Sequence, residues 1–241
     1  MHPGNTAVER SRLAWQPEDT VASAISYRFL KLVAAPVKAL TRSSPRLNAA
    51  LWNVQYQLGL WDYLDGGTVG GRELAGIIEE YAPQASILDL GCGASVNLPL
   101  TPGAYRSYHG VDISAKAIKR ARLLGRPAAT YETADILGYA PQESYDTILL
   151  REVIYYLPLA KVSDFLTRLS GFLAPGGVIL IQVWADERNP DLIAAIEASA
   201  LPVMLKKTLE LDPGHPIIYL LGKAQTEASA SADAQQASSA P

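Results

Sequence analysis

The chain has 241 residues, 49% of them hydrophobic and 19% charged, with a formal net charge of -3. That length suits one domain with decorations, and the charge balance carries no global nucleic-acid footprint, so no nucleic-acid partner is expected. A single cysteine, Cys92, excludes an internal disulfide and a cysteine-based zinc cluster, and fits a reducing compartment.

Residues 1–16 are polar and irregular, and are expected to be disordered. From Glu18 onward Val21, Ile25, Phe29, Leu32, Val33 and Val37 recur at helical spacings, with Pro36 as a kink or break. A second helical segment follows Pro45 and carries Leu47, Leu51, Val54, Leu58 and Trp61 on one face. Residues 17–69 are therefore expected to form a helical lid. No acid occurs between Thr20 and Trp61, whereas Arg28, Lys31, Lys38, Arg42 and Arg46 do. These basic amphipathic helices are either a solvated surface or a docking face for an anionic partner, a weak peripheral contact with an anionic membrane or a phosphorylated substrate. The apolar run here is broken by lysines and Pro36, unlike a secretory leader or a membrane span, so a cytoplasmic location is expected.

A helix is expected near residues 70–81, after which strand and helix patterns alternate. "SILDL" (86–90), "SYHGVDI" (107–113), "ATYETADI" (129–136), "YDTILL" (145–150) and "GGVILIQVW" (176–184) read as strands. "SAKAIKRARLLG" (114–125) reads as a helix with Ser114 as its N-cap. A further helix opens at Pro158 and runs to about Phe172, and "PDLIAAIEASA" (190–200) is the next. Such alternation predicts a mostly parallel sheet with helices on both faces. The chain then changes character: "PVMLKKTLEL", a "DPGHP" turn and "IIYLLGKA" predict a C-terminal antiparallel hairpin, completing seven strands. From Ala224 the tail is rich in Ala, Ser and Gln and is expected to be disordered, leaving 70–223 as the organised domain.

Within it, "ILDLGCGAS" (87–95) joins a buried strand to a glycine turn, a place where bare backbone N–H groups can approach a ligand. A dinucleotide site wants a third glycine where Val96 stands, and Asp89 would repel a pyrophosphate, so a nicotinamide-dependent oxidoreductase is the minor alternative. The pattern acid-x-G-x-G, here Asp89, Gly91 and Gly93, resembles motif I of the class I S-adenosylmethionine-dependent methyltransferases. "YHGVDIS", "TADIL", "YDTILLREVIYYL" and "LAPGGVILIQ" resemble the family's later segments in order, over roughly residues 56–223. The lead-in "LWNVQYQLGLWDYLDGG" is similar to that of bacterial small-molecule, glycan-modifying and nodulation-type methyltransferases.

The resemblance implies a Rossmann-like fold, S-adenosyl-L-methionine as cofactor, and methyl transfer to a hydroxyl, amine or carbon acceptor on a small metabolite or glycan precursor. It assigns Asp89 to the cofactor ammonium, Gly91, Cys92 and Gly93 to the turn, Asp112 and Ile113 to the ribose, and Asp135 and Ile136 to the adenine. Arg151 joins the cofactor-binding set, and Tyr56 and Trp61 would cover the cofactor. The alternatives are ordinary ones: Asp112 as a helix-capping acid, Asp135 as a solvated loop acid, and the aromatics as a packed helix face. Cys92 is most simply a space-filler, and no metal site is expected. Methyl transfer needs alignment more than a universal catalytic side chain. For a hydroxyl acceptor, Glu152 is the first candidate base with Tyr155 beside it, unless Glu152 merely pairs with Arg151 or a lysine and the tyrosines are core.

The chain departs from the family pattern at Ser95, which replaces the third glycine, and at Pro99 and Pro102, which should leave only a short or irregular helix. A non-catalytic cofactor-binding relative or partner-activating subunit is the alternative that these departures motivate.

Overall fold

The structure is a computed structural model that describes residues 44–62, 70–96, 98–185, 190–210 and 215–222. The expected disordered ends, the first helical segment with its basic residues 28–42, and most of the "DPGHP" turn lie outside the described residues. Of the expected helical lid, 44–62 are described.

Helix α1 (Pro45–Gln57) begins on a proline, whose fixed φ suits a first helical turn. Helix α2 (Gly71–Tyr81) buries Leu74, Ala75, Ile77 and Ile78 on one face. The sheet then starts with β1 (Ala85–Leu90), all six residues buried, followed by β2 (Tyr105–Asp112). Helix α3 (Ala115–Leu123) packs along β2 and β3 (Ala129–Thr133). Strand β4 (Tyr145–Arg151) leads through 3-10 turns at Ile154–Tyr156 and Leu159–Lys161 into α4 (Val162–Ser170). The rest is β5 (Leu173–Ala185), α5 (Pro190–Glu197), β6 (Val203–Thr208) and β7 (His215–Gly222).

The seven strands form one sheet in the order β3-β2-β1-β4-β5-β7-β6. Neighbours from β3 to β5 are parallel, while β7 runs antiparallel to both β5 and β6. The expected mostly parallel sheet and C-terminal hairpin are both present. Alternation along the strands builds two cores, because successive side chains point to opposite faces. Leu88, Leu90, Ile148, Leu150, Ile179 and Ile181 face α4 and α5, whereas Ile87, Leu149, Leu180 and Ile218 face α2. Both faces of the sheet are thus covered by helices.

Two expectations need correction. Between β1 and β2 the described residues contain no helix at all, not even a short one, since Pro99 and Pro102 withhold N–H donors and restrict the residues before them. The stripe expected to bury α1 is largely in solvent: Leu47, Val54 and Leu58 are 49%, 52% and 67% exposed. The helix docks by a different side. The Asn53 side-chain oxygen accepts from Ser114 Oγ (2.9 Å) and Lys116 N (3.1 Å) at the start of α3, and Asp62 pairs with Arg120 at 2.6 Å. Ser114 caps α3 as expected, accepting from Ala117 N.

Candidate active site

Strand order reverses between β1 and β4, so the loops after β1, β2 and β4 open a crevice at their carboxyl ends, where open α/β sheets hold ligands. The glycine turn fills the first of these loops. Gly91, Gly93 and Ser95 all have positive φ, at 80°, 56° and 59°. Glycine tolerates this freely, whereas serine pays roughly 1–2 kcal/mol. Space matters as much as φ. A Cβ on Gly91 would lie 2.4 Å from a Val153 methyl carbon, and one on Gly93 would lie 2.6 Å from the Tyr56 hydroxyl.

The N–H groups of the turn are not bare. Gly91 N and Cys92 N both donate to Val111 O, at 2.7 and 3.1 Å, and Ser95 N donates to Cys92 O at 2.9 Å. Gly93 N donates to Asp112 Oδ2 at 2.9 Å, and Ala94 N is directed at the Tyr56 hydroxyl. A turn with its donors already engaged is no cradle for a pyrophosphate. What it offers instead is carboxylates.

Asp89 is 4% exposed, and Tyr108 donates to its Oδ2 at 2.5 Å while its buried Oδ1 has no hydrogen-bond partner. Burial pushes this carboxyl up to about 6, against the Tyr108 hydrogen bond and the charges of Arg151 and Arg126, with Asp112 adding to the rise. An orphaned, electron-rich oxygen in a dry crevice calls for a cation. Asp112, at the end of β2, is also raised by burial to about 6, held down by the N–H groups of Ser114 and Gly93. Ser114 N reaches its Oδ1 at 2.7 Å, so each carboxylate oxygen keeps one lone pair for a diol. This donor set fits a ligand with an ammonium at one end and a ribose beyond it. Asp112 also engages the start of α3, as the capping alternative expected, through Ser114 N.

The other candidate residues distribute around this pair. Cys92 is buried, its thiol raised by burial, and its Sγ lies 2.9 Å from where a Gly110 Cβ would stand, which makes it an inert filler. Ile113 is half-buried between Asp112 and the capping Ser114. Asp135 accepts from Leu137 N at 3.1 Å, so it shapes its own loop, and the buried Ile136 is held through its carbonyl by Arg168 at 3.0 Å. Arg151 donates to Gln182 Oε1 at 3.1 Å. Glu152 is not held by Arg151 alone: Tyr155 donates to its Oε2 at 2.6 Å, and the Gln182 side chain and the Trp184 backbone also engage the carboxylate. Burial raises this carboxyl, opposed by Tyr155 and by Arg151. Its φ of 53° is a strained setting for a glutamate at a site mouth.

Aromatic rings line the same side. Trp52 lies 5.4 Å from Trp61 and 5.0 Å from Tyr156, Tyr56 lies 6.4 Å from Trp61, and Tyr155 lies 4.9 Å from Tyr156. The structure therefore gathers Tyr56, Trp61, Tyr155 and Glu152 with residues that sequence reasoning passed over, namely Trp52, Asn53, Tyr108, Arg126 and Gln182. Tyr108 carried a readable signal: a tyrosine on an interior strand must find a partner for its hydroxyl, and it shares a face with Asp112 four residues on.

A model of a methyltransferase domain matches residues 67–207. Trans-aconitate 2-methyltransferase of Methylobacterium radiotolerans is 32% identical over 141 residues, 56% of this chain and 52% of that protein. Nodulation protein S of Rhizobium tropici is 28% identical over 142 residues, 54% of this chain and 59% of that protein. The chain thus spans between half and two thirds of the length of these curated relatives. Among solved structures, N-methyltransferase NodS from Bradyrhizobium japonicum WM9, in complex with S-adenosyl-L-homocysteine, shares the fold with a TM-score of 0.54 at 18% identity, over 64% of this chain and 86% of that one.

Proposed function

The chain belongs to the methyltransferase-domain family, and from that premise we propose that it transfers a methyl group from S-adenosyl-L-methionine to a hydroxyl, amine or carbon acceptor on a small metabolite or glycan precursor. One observation carries the reading: the orphaned Oδ1 of buried Asp89 beside the two half-engaged oxygens of Asp112, at the point where strand order reverses. When bound, the cofactor supplies an activated methyl group on a sulfonium.

The chain's own residues then bind, orient and keep the site dry. Asp89 receives the ammonium, and its ionised form is favoured once that charge replaces lost hydration. Asp112 accepts both ribose hydroxyls, with Ile113 flanking it, and Asp135 and Ile136 form the loop that faces the adenine. Gly91, Cys92 and Gly93 keep the turn narrow, and Arg151 balances the charge of Asp89. Tyr56 and Trp61 cover the cofactor and exclude water. Because methyl transfer is an in-line displacement, alignment supplies much of the rate. A hydroxyl or amine acceptor must also lose a proton. Glu152 is placed to take it, being a stronger base when buried than in solvent, and Tyr155 holds its carboxylate in one orientation.

Calorimetric titration with S-adenosyl-L-methionine and S-adenosyl-L-homocysteine tests the reading, which predicts binding of both. Absence of binding by either at millimolar concentration sinks it. The missing helix behind the turn favours a second reading, a non-catalytic cofactor-binding relative. Incubation of a metabolite extract with methyl-labelled cofactor separates the two, since any labelled acceptor eliminates the second.

A further inference from the structure

Glycine turns of this kind normally feed a helix, whose N-terminal dipole and capped backbone hold the turn in place. Here the described residues between β1 and β2 contain no helix, and the side chain of Ser95 in the turn, with those of Tyr108 and Arg126 from outside it, occupies that role. Arg126 donates from one guanidinium nitrogen to Ser95 O and Leu98 O, each at 2.9 Å, and stacks 5.0 Å from the centre of the Tyr108 ring. Ser95 Oγ lies 2.9 Å from the Tyr108 hydroxyl, which donates to Asp89 Oδ2 at 2.5 Å.

The direction of this chain of bonds is forced. A tyrosine hydroxyl has one hydrogen, and Asp89 takes it, so Ser95 must donate to the tyrosine oxygen. The result fixes one carboxylate oxygen of Asp89 and leaves the other free. Both Ser95 and Tyr108 are at most 1% exposed. For stability alone, a phenylalanine at 108 and a glycine at 95 would be cheaper, because burying hydroxyls and holding serine at positive φ both cost free energy.

We propose that Tyr108 is a positioning residue for the amino-acid end of the cofactor, acting through Asp89 and held by Ser95 and Arg126; the inference rests on the methyltransferase reading above. The charged and titratable groups facing Asp89 are Tyr108 and Asp112 on β2, Arg151 on β4, Arg126 after α3, and Cys92 in the turn. Tyr108 donates a hydrogen bond to it. Losing that donor raises the carboxyl further, so the cofactor meets a protonated, misaligned acid at neutral pH.

The test is titration of wild type, Tyr108→Phe and Ser95→Gly with S-adenosyl-L-homocysteine between pH 5.5 and 8.5, alongside thermal melting. Wild-type affinity should fall below about pH 6. Tyr108→Phe should bind roughly tenfold more weakly at pH 7, the loss of a hydrogen bond to a charged group, and recover toward wild type at pH 8.5 as the midpoint moves up. Ser95→Gly should shift the midpoint the same way by less, without loss of melting temperature, and it carries the test if Tyr108→Phe does not fold. Equal affinity and midpoint in the variants, or a pH-independent loss that tracks melting temperature, overturns the inference alone. A wild-type protein that does not bind overturns the methyltransferase reading and the inference with it.

Discussion

Among single residues, Asp89 and Asp112 are the acids on which the proposed cofactor site rests, and burial gives them a pH dependence whose sign can be worked out. Each is raised from an ordinary 3.8 to about 6 in the folded chain. The folded state therefore holds more protons than the unfolded one between those values, so the stability these groups contribute is fully present below about pH 4 and is lost as pH rises through 6. A bound ammonium reverses the balance by favouring the ionised form. The rise in melting temperature on adding saturating S-adenosyl-L-homocysteine should accordingly be small at pH 5 and larger at pH 8, and a rise independent of pH would contradict this. Both acids stand out in the sequence because each lies at the carboxyl end of an apolar strand run, just before a turn. The partners that tune them do not, since Tyr108 lies 19 residues from Asp89 and meets it only through the β1–β2 register, in which Asp89 sits opposite Gly110.

Individual elements divided into those with local signals and those without. The strands announced themselves by apolar runs and the hairpin by its Pro/Gly connection, and each formed near its expected bounds. The region after β1 went further than its prolines suggested, because losing two N–H donors in so short a segment removes the helix entirely, and Arg126 takes up carbonyls instead. Helix α1 was correctly read as helical but wrongly faced, because its docking contact is polar and hydrophobic periodicity is blind to it. Asn53 makes that contact, supplying α3 with a second cap beyond Ser114. Asn53→Ala should cost about 1 kcal/mol in denaturant unfolding, and Asn53→Asp should restore most of it, as an acid also accepts both bonds and suits a helix N-terminus. An alanine variant as stable as wild type would show that the contact adds nothing.

The described residues form a seven-stranded sheet whose two cores fix β1, β2 and β4 so that their loops meet at one crevice. Among the described residues no helix is long and apolar enough to cross a membrane. Under the proposed function the crevice separates two tasks, with Asp89 and Asp112 receiving the cofactor and Glu152 with Tyr155 facing the acceptor. Titration of Asp112→Ala and Glu152→Ala beside wild type with S-adenosyl-L-homocysteine decides whether these two tasks are separate. Asp112→Ala should bind roughly tenfold more weakly, from the loss of two charge-assisted hydrogen bonds, and Glu152→Ala should bind near wild type. The reverse order would contradict that separation.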